Sequence, residues 1–429
     1  MTPELPRRRT APGVGADRHR MWCRFRMPGR IASLAAVVQI LGATPGQAQD
    51  RFVVLEEPTG TAVGVAIVIN GGGAWELPGQ SGLAYLSASA ILEQLRPILD
   101  SYSAYATVSC GRGALEIRLV TPPQDWAVAT RSLLDALFAA TLSDAAFGAA
   151  RERLAAQLAA ENGSPASVAA TELDRALFGP GSRWAEPPCG DASTVAGFTA
   201  EDARRWARSR FTEARTTVAV AGPVDMDAAR SVLRESLATL ASPVALPQPS
   251  PPPAGRDITI RENVVSAWVS MAFPIRGAPR EGVLEEAEAL EFLAYLLRET
   301  TGPSTANADV FDREVRVERF GGGGAVVIRL VTLPDRGAHW ADRIRNTVAD
   351  LARGPLPHAV FDPLLRRYVG ERLMDLSSPE ARALDAARQL LLDGAYVAYH
   401  SRLAGLSPQL LHMAAIRLGD PAIAIISPD

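Results

Sequence analysis

The sequence predicts an α+β protein of two similar halves, each with a mixed, mostly antiparallel sheet packed with helices. Three observations support this prediction: a pattern repeated at constant spacing, short β-branched runs that alternate with helical segments, and a proline-rich stretch near the middle of the chain. With 429 residues, of which 47% are hydrophobic, the chain is long enough to bury two cores of ordinary size.

Residues 1–48 have the profile of a signal peptide. Eight arginines precede an apolar run at 31–43, and the small-residue pattern Gly46-Gln47-Ala48 follows. A retained membrane anchor is the alternative, but the run of about 13 residues is shorter than the ~20 that a spanning helix needs. We therefore expect cleavage, a secreted periplasmic protein and no membrane contact afterwards. Met1 and Met21 are both candidate start residues.

The charge balance and the absence of one residue type exclude several classes of function. Removal of residues 1–48 takes away eight arginines and two acidic residues, so the formal charge changes from −3 to −9. A mildly acidic chain argues against a nucleic-acid partner. The chain has no lysine, which excludes a Walker P-loop and a pyridoxal-phosphate Schiff base.

Proline content marks a connector between the halves. Residues 243–256 carry six prolines and no hydrophobic periodicity, which predicts an extended, semi-rigid linker. The predicted organisation is a signal peptide at 1–48, a first domain at 49–242, the linker at 243–256 and a second domain at 257–429.

The two halves share an internal repeat. Residues 142–178 align without gaps with residues 356–392 at an offset of 214, and the pair Ser164-Pro165 recurs as Ser378-Pro379. Ser-Pro at this place predicts a helix start, because serine caps a helix and proline fits its first turn. Each half therefore repeats the same order of strands and helices.

The elements of the first half follow from hydrophobic periodicity. Strands are predicted near 52–55, 61–70, 103–109, 114–120 and 217–221. Helices are predicted near 81–95, 124–140, 144–161, 165–178, 200–212 and 226–240. The closing strand of the second half is predicted at 422–426, and Gly321 to Gly324 are interpreted as a hairpin turn.

The start of the first long helix resembles a known family. The segment Gly73-Ala74-Trp75-Glu76, followed by Gly82-Leu83-Ala84, is similar to the Gly-Ser-x-x-Glu and Gly-Leu-Ala-His segments of pitrilysin-type (M16) metallopeptidases. Later segments, at 147–162, 178–190, 198–202 and 218–225, follow the order of the same family. The resemblance spans nearly all of 51–429 and implies two homologous M16-type domains.

The resemblance also implies where a zinc site would lie, and this chain lacks its ligands. Active members carry His-x-x-Glu-His on that helix, with two imidazoles on one helical face and a glutamate as general base. Here the stretch is Tyr85-Leu86-Ser87-Ala88-Ser89, so Tyr85 and Ser89 replace the histidines and Ala88 replaces the base. We expect no catalytic residue, no bound metal and no cofactor in this chain, with zinc only in a partner.

No other residues supply the missing site. His339, His358, His400 and His412 all lie in the second half, and none is paired at metal-ligand spacing. Glu152 and Glu161 lie near the expected third ligand, whose position aligns close to Ala159, and we interpret both as solvated charges.

A substrate-holding pair of the family is also missing from the second half. The resemblance implies an arginine and a tyrosine there, but Thr305 stands at the arginine position and no tyrosine is in place. Arg313 and Arg316 are interpreted as charges at a strand edge. The alternative is that one of them takes the substrate-holding role of the missing arginine.

Cys23 lies in the predicted signal peptide, so two cysteines remain after its removal. Cys110 and Cys189 form a possible disulfide in an oxidising compartment, and two separate free thiols are the alternative.

The expected function is binding rather than hydrolysis. By resemblance, the chain is a degenerate partner subunit of a zinc-bearing M16 peptidase that completes a peptide-binding chamber. One such pair is the two-subunit protease that trims the precursor of pyrroloquinoline quinone. The alternatives are a stand-alone periplasmic peptide-binding or assembly protein, and residual hydrolysis through Ser89 with a second-half histidine.

Overall fold

Two five-stranded sheets organise the protein, whose structure is a computed structural model. It describes residues 51–237, 256–276, 284–302, 308–320 and 323–428. The strands of the first sheet are β1 (Phe52–Glu56), β2 (Val63–Ile69), β3 (Tyr105–Cys110), β4 (Leu115–Thr121) and β5 (Thr216–Gly222). Those of the second are β6 (Asp257–Arg261), β7 (Ala267–Pro274), β8 (Val310–Phe320), β9 (Gly323–Thr332) and β10 (Ala422–Ser427).

Both sheets have the same topology. The first has the order β1-β5-β2-β4-β3, and the second has the corresponding order β6-β10-β7-β9-β8. In each sheet the first and last strands of the half pair in parallel, while all other neighbours are antiparallel. The predicted fold class of two mixed, mostly antiparallel α/β units is confirmed.

Thirteen α-helices are found among the described residues. The first half contributes α1 (Leu83–Ser101), α2 (Trp126–Phe138), α3 (Asp144–Glu161), α4 (Pro165–Phe178), α5 (Ala192–Gly197), α6 (Ala200–Arg210) and α7 (Met226–Ser236). The second contributes α8 (Leu284–Thr300), α9 (Gly337–Arg353), α10 (His358–Asp375), α11 (Pro379–Asp393), α12 (Tyr399–Ala404) and α13 (Pro408–Ile416). None of them is long and apolar enough to span a membrane.

The internal repeat appears as matching helices. α3 and α10 begin 214 residues apart, as do α4 and α11. The hydroxyl of Ser164 accepts a hydrogen bond from the backbone N–H of Ser167, and Ser378 accepts one from that of Ala381. Both Ser-Pro pairs therefore start helices as the sequence predicts.

Helix α1 is longer than predicted. The sequence predicts an end near residue 95, but the helix continues through Pro97 to Ser101. Leu95 and Leu99 are both buried in the core of the first half. We attribute the continuation to this packing, which offsets the backbone hydrogen bond that proline cannot make.

The two halves exchange one helix each, which the sequence did not predict. Helix α4 of the first half packs against β6, β7 and β10, and α11 of the second half packs against β2 and β5. On β2, Val65 and Ile67 face the first core, while Ala66 and Val68 face α11. A strand covered on both faces is buried throughout, as β2 is.

Several sequence-based predictions fall outside the described residues. These are the signal peptide at 1–48, most of the linker at 243–256, Thr305 and the first half of the glycine turn at 321–322. The described residues, from Arg51 onwards, belong to one compact unit, as the exchange of helices requires.

Candidate functional site

Helix α1 begins at a buried carboxylate. Gly82 is the N-cap and has a φ of 91°, and no side chain at the cap position satisfies the first backbone N–H groups. Glu76 does so instead, because its carboxylate accepts hydrogen bonds from Gly82 N at 3.0 Å and Ala84 N at 2.7 Å. Burial raises the pKa of Glu76, and these two donors oppose the rise.

The loop at 179–190 packs tightly on this helix start. A Cβ at Gly82 would lie 2.5 Å from the carbonyl oxygen of Cys189, so only glycine fits there. The Ser81 hydroxyl donates to the carbonyl oxygen of Pro187 at 2.8 Å. These contacts place Cys189 beside the first turns of α1.

The three positions aligned with the zinc motif lie on α1 but face different surroundings. Tyr85 is half-buried, and burial together with the nearby Cys189 sulfur raises the pKa of its phenol. Ala88 is fully buried within the core of the first half. The hydroxyl oxygen of Ser89 is buried and lies next to the Tyr85 phenol, where it opposes the rise of the Tyr85 pKa. None of the three offers a metal ligand of the kind that zinc prefers.

Cys110 and Cys189 are both free thiols in the structure. They lie near Tyr85, since both sulfurs influence its pKa. Burial raises the pKa of Cys189 to about 11 and that of Cys110 well above its usual value. Both groups are therefore protonated at neutral pH, which makes them poor nucleophiles and poor metal ligands.

The other candidate ligands are dispersed. Glu152 and Glu161 are both exposed on α3. His358 lies 3.4 Å from Asp362, and His412 makes a hydrogen bond of 2.8 Å with the carbonyl oxygen of Leu351. Within the described part of the chain, no three His, Cys, Asp or Glu side chains are grouped to hold a metal ion.

A cavity of about 1450 Å³ lies between the two halves. Its walls come from the β3–β4 hairpin, α4 and the loop at 186–193 on one side, and from α8, β8, α10 and α11 on the other. The lining includes ten arginines and twelve acidic residues. Each of those arginines lies within ion-pair distance of a carboxylate, so the positive charges of the wall are already neutralised.

Two arginines join the halves across this cavity. Arg112 in the β3–β4 turn forms ion pairs with Asp174 on α4 at 2.5 Å and with Glu318 on β8 at 2.7 Å. Arg388 on α11 binds both oxygens of Glu116 on β4, at 2.6 and 2.7 Å. Burial raises the pKa of Asp174 to about 6, although Arg112 opposes the rise.

A buried polar network forms the second-half wall, and the sequence did not predict it. Arg402 lies 2.9 Å from Glu288 and 2.5 Å from Asp385, and Arg372 lies 3.0 Å from Asp385. The Tyr368 hydroxyl donates to Glu288, which is fully buried. These residues come from four helices, so no local sequence pattern indicates the network.

One carboxylate beside this network has no partner. Glu291, one turn after Glu288 on α8, lines the cavity and makes no hydrogen bond or ion pair with any described side chain. Burial raises the pKa of Glu291 to about 6. Its neighbouring arginines, which oppose that rise, are already bound to other carboxylates: Arg372, Arg319 and Arg388.

The charges on β8 are strand-edge residues. Arg316 pairs with Glu318 at 2.6 Å and lines the cavity. Arg313 donates to the carbonyl oxygen of Arg298 at 2.8 Å. Since β8 is at the edge of its sheet, both positions agree with the strand-edge interpretation.

Comparison with known proteins supports the family suggested by the sequence. Residues 197–362 match the sequence model of the peptidase M16 inactive domain. This match runs from the residues before α6 into α10, and so includes parts of both halves. No curated protein matches the sequence significantly.

Solved structures share the fold at low sequence identity. A peptidase M16 inactive domain from Pseudomonas fluorescens has a TM-score of 0.75 and 13% identity, with 89% of this chain and 96% of that chain covered. A protease from Helicobacter pylori has a TM-score of 0.73 and 15% identity, with 88% and 96% covered. A chain of complex III2 from Candida albicans, with Inz-5 bound, has a TM-score of 0.69 and 16% identity, with 88% and 93% covered.

At these identities, the structural likeness concerns the fold alone. The sequence match to the M16 inactive domain is limited to residues 197–362. Together they show an M16-like fold over most of the chain and a similarity to the M16 inactive domain over residues 197–362.

Proposed function

We propose that this chain is the non-catalytic partner subunit of a zinc-bearing M16 peptidase and that its cavity holds the peptide to be processed. The observation that carries the proposal is a large cavity whose lining includes Cys110 and Cys189, the two cysteines near Tyr85 on α1. On that helix, the positions aligned with the metal ligands and the base are Tyr85, Ala88 and Ser89. Zinc would then be supplied by the partner alone, and the mature protein would act in the periplasm.

The chemistry of this helix argues against hydrolysis by the chain itself. A zinc peptidase needs neutral imidazole or carboxylate ligands and a base for the metal-bound water. The buried methyl group of Ala88 accepts no proton, and the Ser89 hydroxyl makes no hydrogen bond with a described histidine that would activate it.

The cavity suits an extended peptide. Strands β3 and β8 are edge strands, and Cys110 and residues 315–320 of these strands line the cavity. Edge strands present unpaired backbone groups, to which a peptide in extended conformation can add as a further strand.

The charge of the cavity favours a basic peptide. All ten arginines in its wall have carboxylate partners, while Glu291 has none among the described residues. A lysine or arginine side chain of the peptide would pair with the ionised Glu291. Because the pKa of Glu291 is about 6, we expect the affinity for basic peptides to fall as the pH decreases through that value.

The first experiment tests catalysis and partnership together. The purified full chain is dialysed, its zinc content is measured by mass spectrometry, and its cleavage of a peptide mixture is assayed with and without an M16 peptidase of the same organism. We expect no stoichiometric zinc, no cleavage by the chain alone and increased cleavage by the pair. Stoichiometric zinc or cleavage by the isolated chain would overturn the proposal.

The second experiment tests the cavity. Fluorescence anisotropy of labelled peptides at pH 5 and 7.5 compares the wild-type chain with Glu291→Gln and with Glu299→Gln, which lies on the same helix outside the cavity lining. We expect Glu291→Gln to weaken binding of basic peptides about tenfold at pH 7.5 and Glu299→Gln to leave it unchanged. Equal binding by all three proteins would exclude Glu291 as the determinant.

A stand-alone binding or assembly protein is the second candidate. A chain of similar fold is part of complex III2 from Candida albicans, which favours a role within an assembly. Peptide binding by a chain that associates with no M16 peptidase of its organism would support this candidate. Processing of a cofactor precursor, such as that of pyrroloquinoline quinone, is tested by adding that precursor to the purified pair.

A further inference from the structure

A cluster of arginines and tryptophans lies outside the cavity, where the loop after β2 meets the end of α6. The guanidinium carbon of Arg215 is 4.3 Å from the ring centre of Trp75, and that of Arg210 is 4.8 Å from the same ring. Arg210 is also 5.4 Å from the ring of Trp206, one turn earlier on α6. Two guanidinium groups therefore stack on two indole rings.

The cluster is held by a buried scaffold. Asn70 is fully buried, and its side-chain oxygen accepts a hydrogen bond of 2.7 Å from the indole N–H of Trp75. Its backbone carbonyl accepts a bond of 3.1 Å from the Arg215 guanidinium, and its N–H donates to the Arg215 carbonyl at 2.8 Å. Both Trp75 and Arg215 are thus held in place by one residue.

The positive charges of the cluster have no carboxylate partner among the described residues. Arg183, Arg210 and Arg215 form no ion pair with any carboxylate in the described part of the chain. The Arg210 Nε atom is buried without a hydrogen-bond partner there. Burial lowers the pKa of Arg210, and the positive charge of Arg183 lowers it further. Burial also lowers the pKa of Arg215, and the positive charge of Arg210 lowers it further.

This arrangement is unfavourable unless an anion joins it. Arg210 and Arg215 are half-buried and Arg183 is exposed, and like charges placed together repel one another and lose hydration where they are buried. Stacking occupies the faces of the guanidinium groups, and apart from the Arg215 donor bound to Asn70 and the buried Arg210 Nε, the N–H donors at their edges can bind the oxygens of a carboxylate or phosphate. None of these residues lines the cavity, so the cluster is separate from the proposed peptide site.

We propose that Arg183, Arg210 and Arg215, supported by Trp75, Trp206 and Asn70, form a binding site for an oxyanion. The ligand class is a carboxylate or phosphate group, supplied either by an acidic peptide segment or by free phosphate. The site is independent of peptide processing, and its failure would leave the proposed function untouched.

Calorimetric titration of the full chain at 50 mM NaCl tests the site with three probes: inorganic phosphate, hexaglutamate and hexaglutamine. We compare the wild-type chain with Arg210→Gln, Arg215→Gln and the matched control Arg208→Gln. Arg208 lies on the same helix, is exposed and already pairs with Glu201 at 2.8 Å. Circular dichroism and thermal unfolding verify that every variant is folded.

We expect phosphate, hexaglutamate or both to bind the wild-type chain, and hexaglutamine not to bind. Arg210→Gln and Arg215→Gln should each weaken binding about tenfold or more, since each removes a charge-assisted donor, and Arg208→Gln should not. Binding of phosphate alone identifies a free anion as the ligand, and binding of hexaglutamate alone identifies an acidic segment. Absence of binding by both anions, or equal weakening in all three variants, would overturn the site.

Discussion

At the residue scale, Ala88 is the most buried of the three positions that align with the M16 zinc motif. By resemblance, this position carries the general base in active members of the family, where it must reach a metal-bound water. Here the side chain is fully buried and belongs to the core of the first half. The position therefore stabilises the fold instead of facing a substrate.

Restoring a carboxylate at this position should destabilise the protein. We expect Ala88→Glu to reduce the free energy of unfolding by about 3 kcal/mol or more, because it buries an unpaired charge and overfills a packed core. Urea denaturation followed by circular dichroism measures the change. The control is Ala160→Glu, an exposed alanine on α3, and a similar loss in both variants would contradict the buried placement of Ala88.

At the element scale, the repeated Ser-Pro pair determines where two equivalent helices begin. Each serine satisfies a backbone N–H of the first turn, and each proline occupies a position where no donor is needed. The signal is local, since it lies within four consecutive residues. This is why the start of α4 and of α11 could be predicted correctly in both halves.

Loss of either cap should have a moderate cost. We expect Ser164→Ala and Ser378→Ala each to reduce the free energy of unfolding by about 1 kcal/mol, the usual value for a helix N-cap. The matched control is Ser377→Ala, next to the second cap, whose exposed side chain makes no hydrogen bond with described residues. Urea midpoints are compared, and an equal effect at Ser377 would show that capping is not responsible.

At the scale of the whole molecule, the two halves are joined by exchanged helices and by buried charges. Alanine dominates the surface on which α11 meets the first sheet, with Ala66, Ala219 and Ala221 opposite Ala383 and Ala387. Small side chains let the helix approach closely: a Cβ at Gly64 would lie 2.3 Å from the backbone nitrogen of Glu380. The halves cannot separate without exposing these surfaces.

Arg112 connects the two halves through its ion pairs, and we expect the stability of the protein to depend on it. Its side chain is 9% exposed, and we expect Arg112→Gln to reduce the free energy of unfolding by about 3 kcal/mol, because Asp174 would lose its ion-pair partner in a mostly buried place and Glu318 would keep only Arg316. Arg96→Gln, which breaks the exposed pair with Glu93, should change it by less than about 1 kcal/mol. Equal values would show that the connection across the cavity is not important for stability.

The sequence alone determined the fold class and the internal repeat, and it predicts that Tyr85, Ala88 and Ser89 stand at positions where the resemblance implies a zinc motif. These properties depend on residue identity and on spacing along the chain, which a sequence contains directly. Helix ends governed by packing, such as that of α1 beyond Pro97, were predicted less well.

Only the tertiary structure decided which helix covers which sheet, that the Glu288 network and Glu291 face a common cavity, and that Trp75 meets Arg210 and Arg215. The reason is the distance along the chain. Arg402 and Glu288 are 114 residues apart in the sequence. A periodic pattern relates only residues that lie a few positions apart. Such contacts arise from the packing of whole elements, whose position depends on the sum of many weak interactions and not on any local motif.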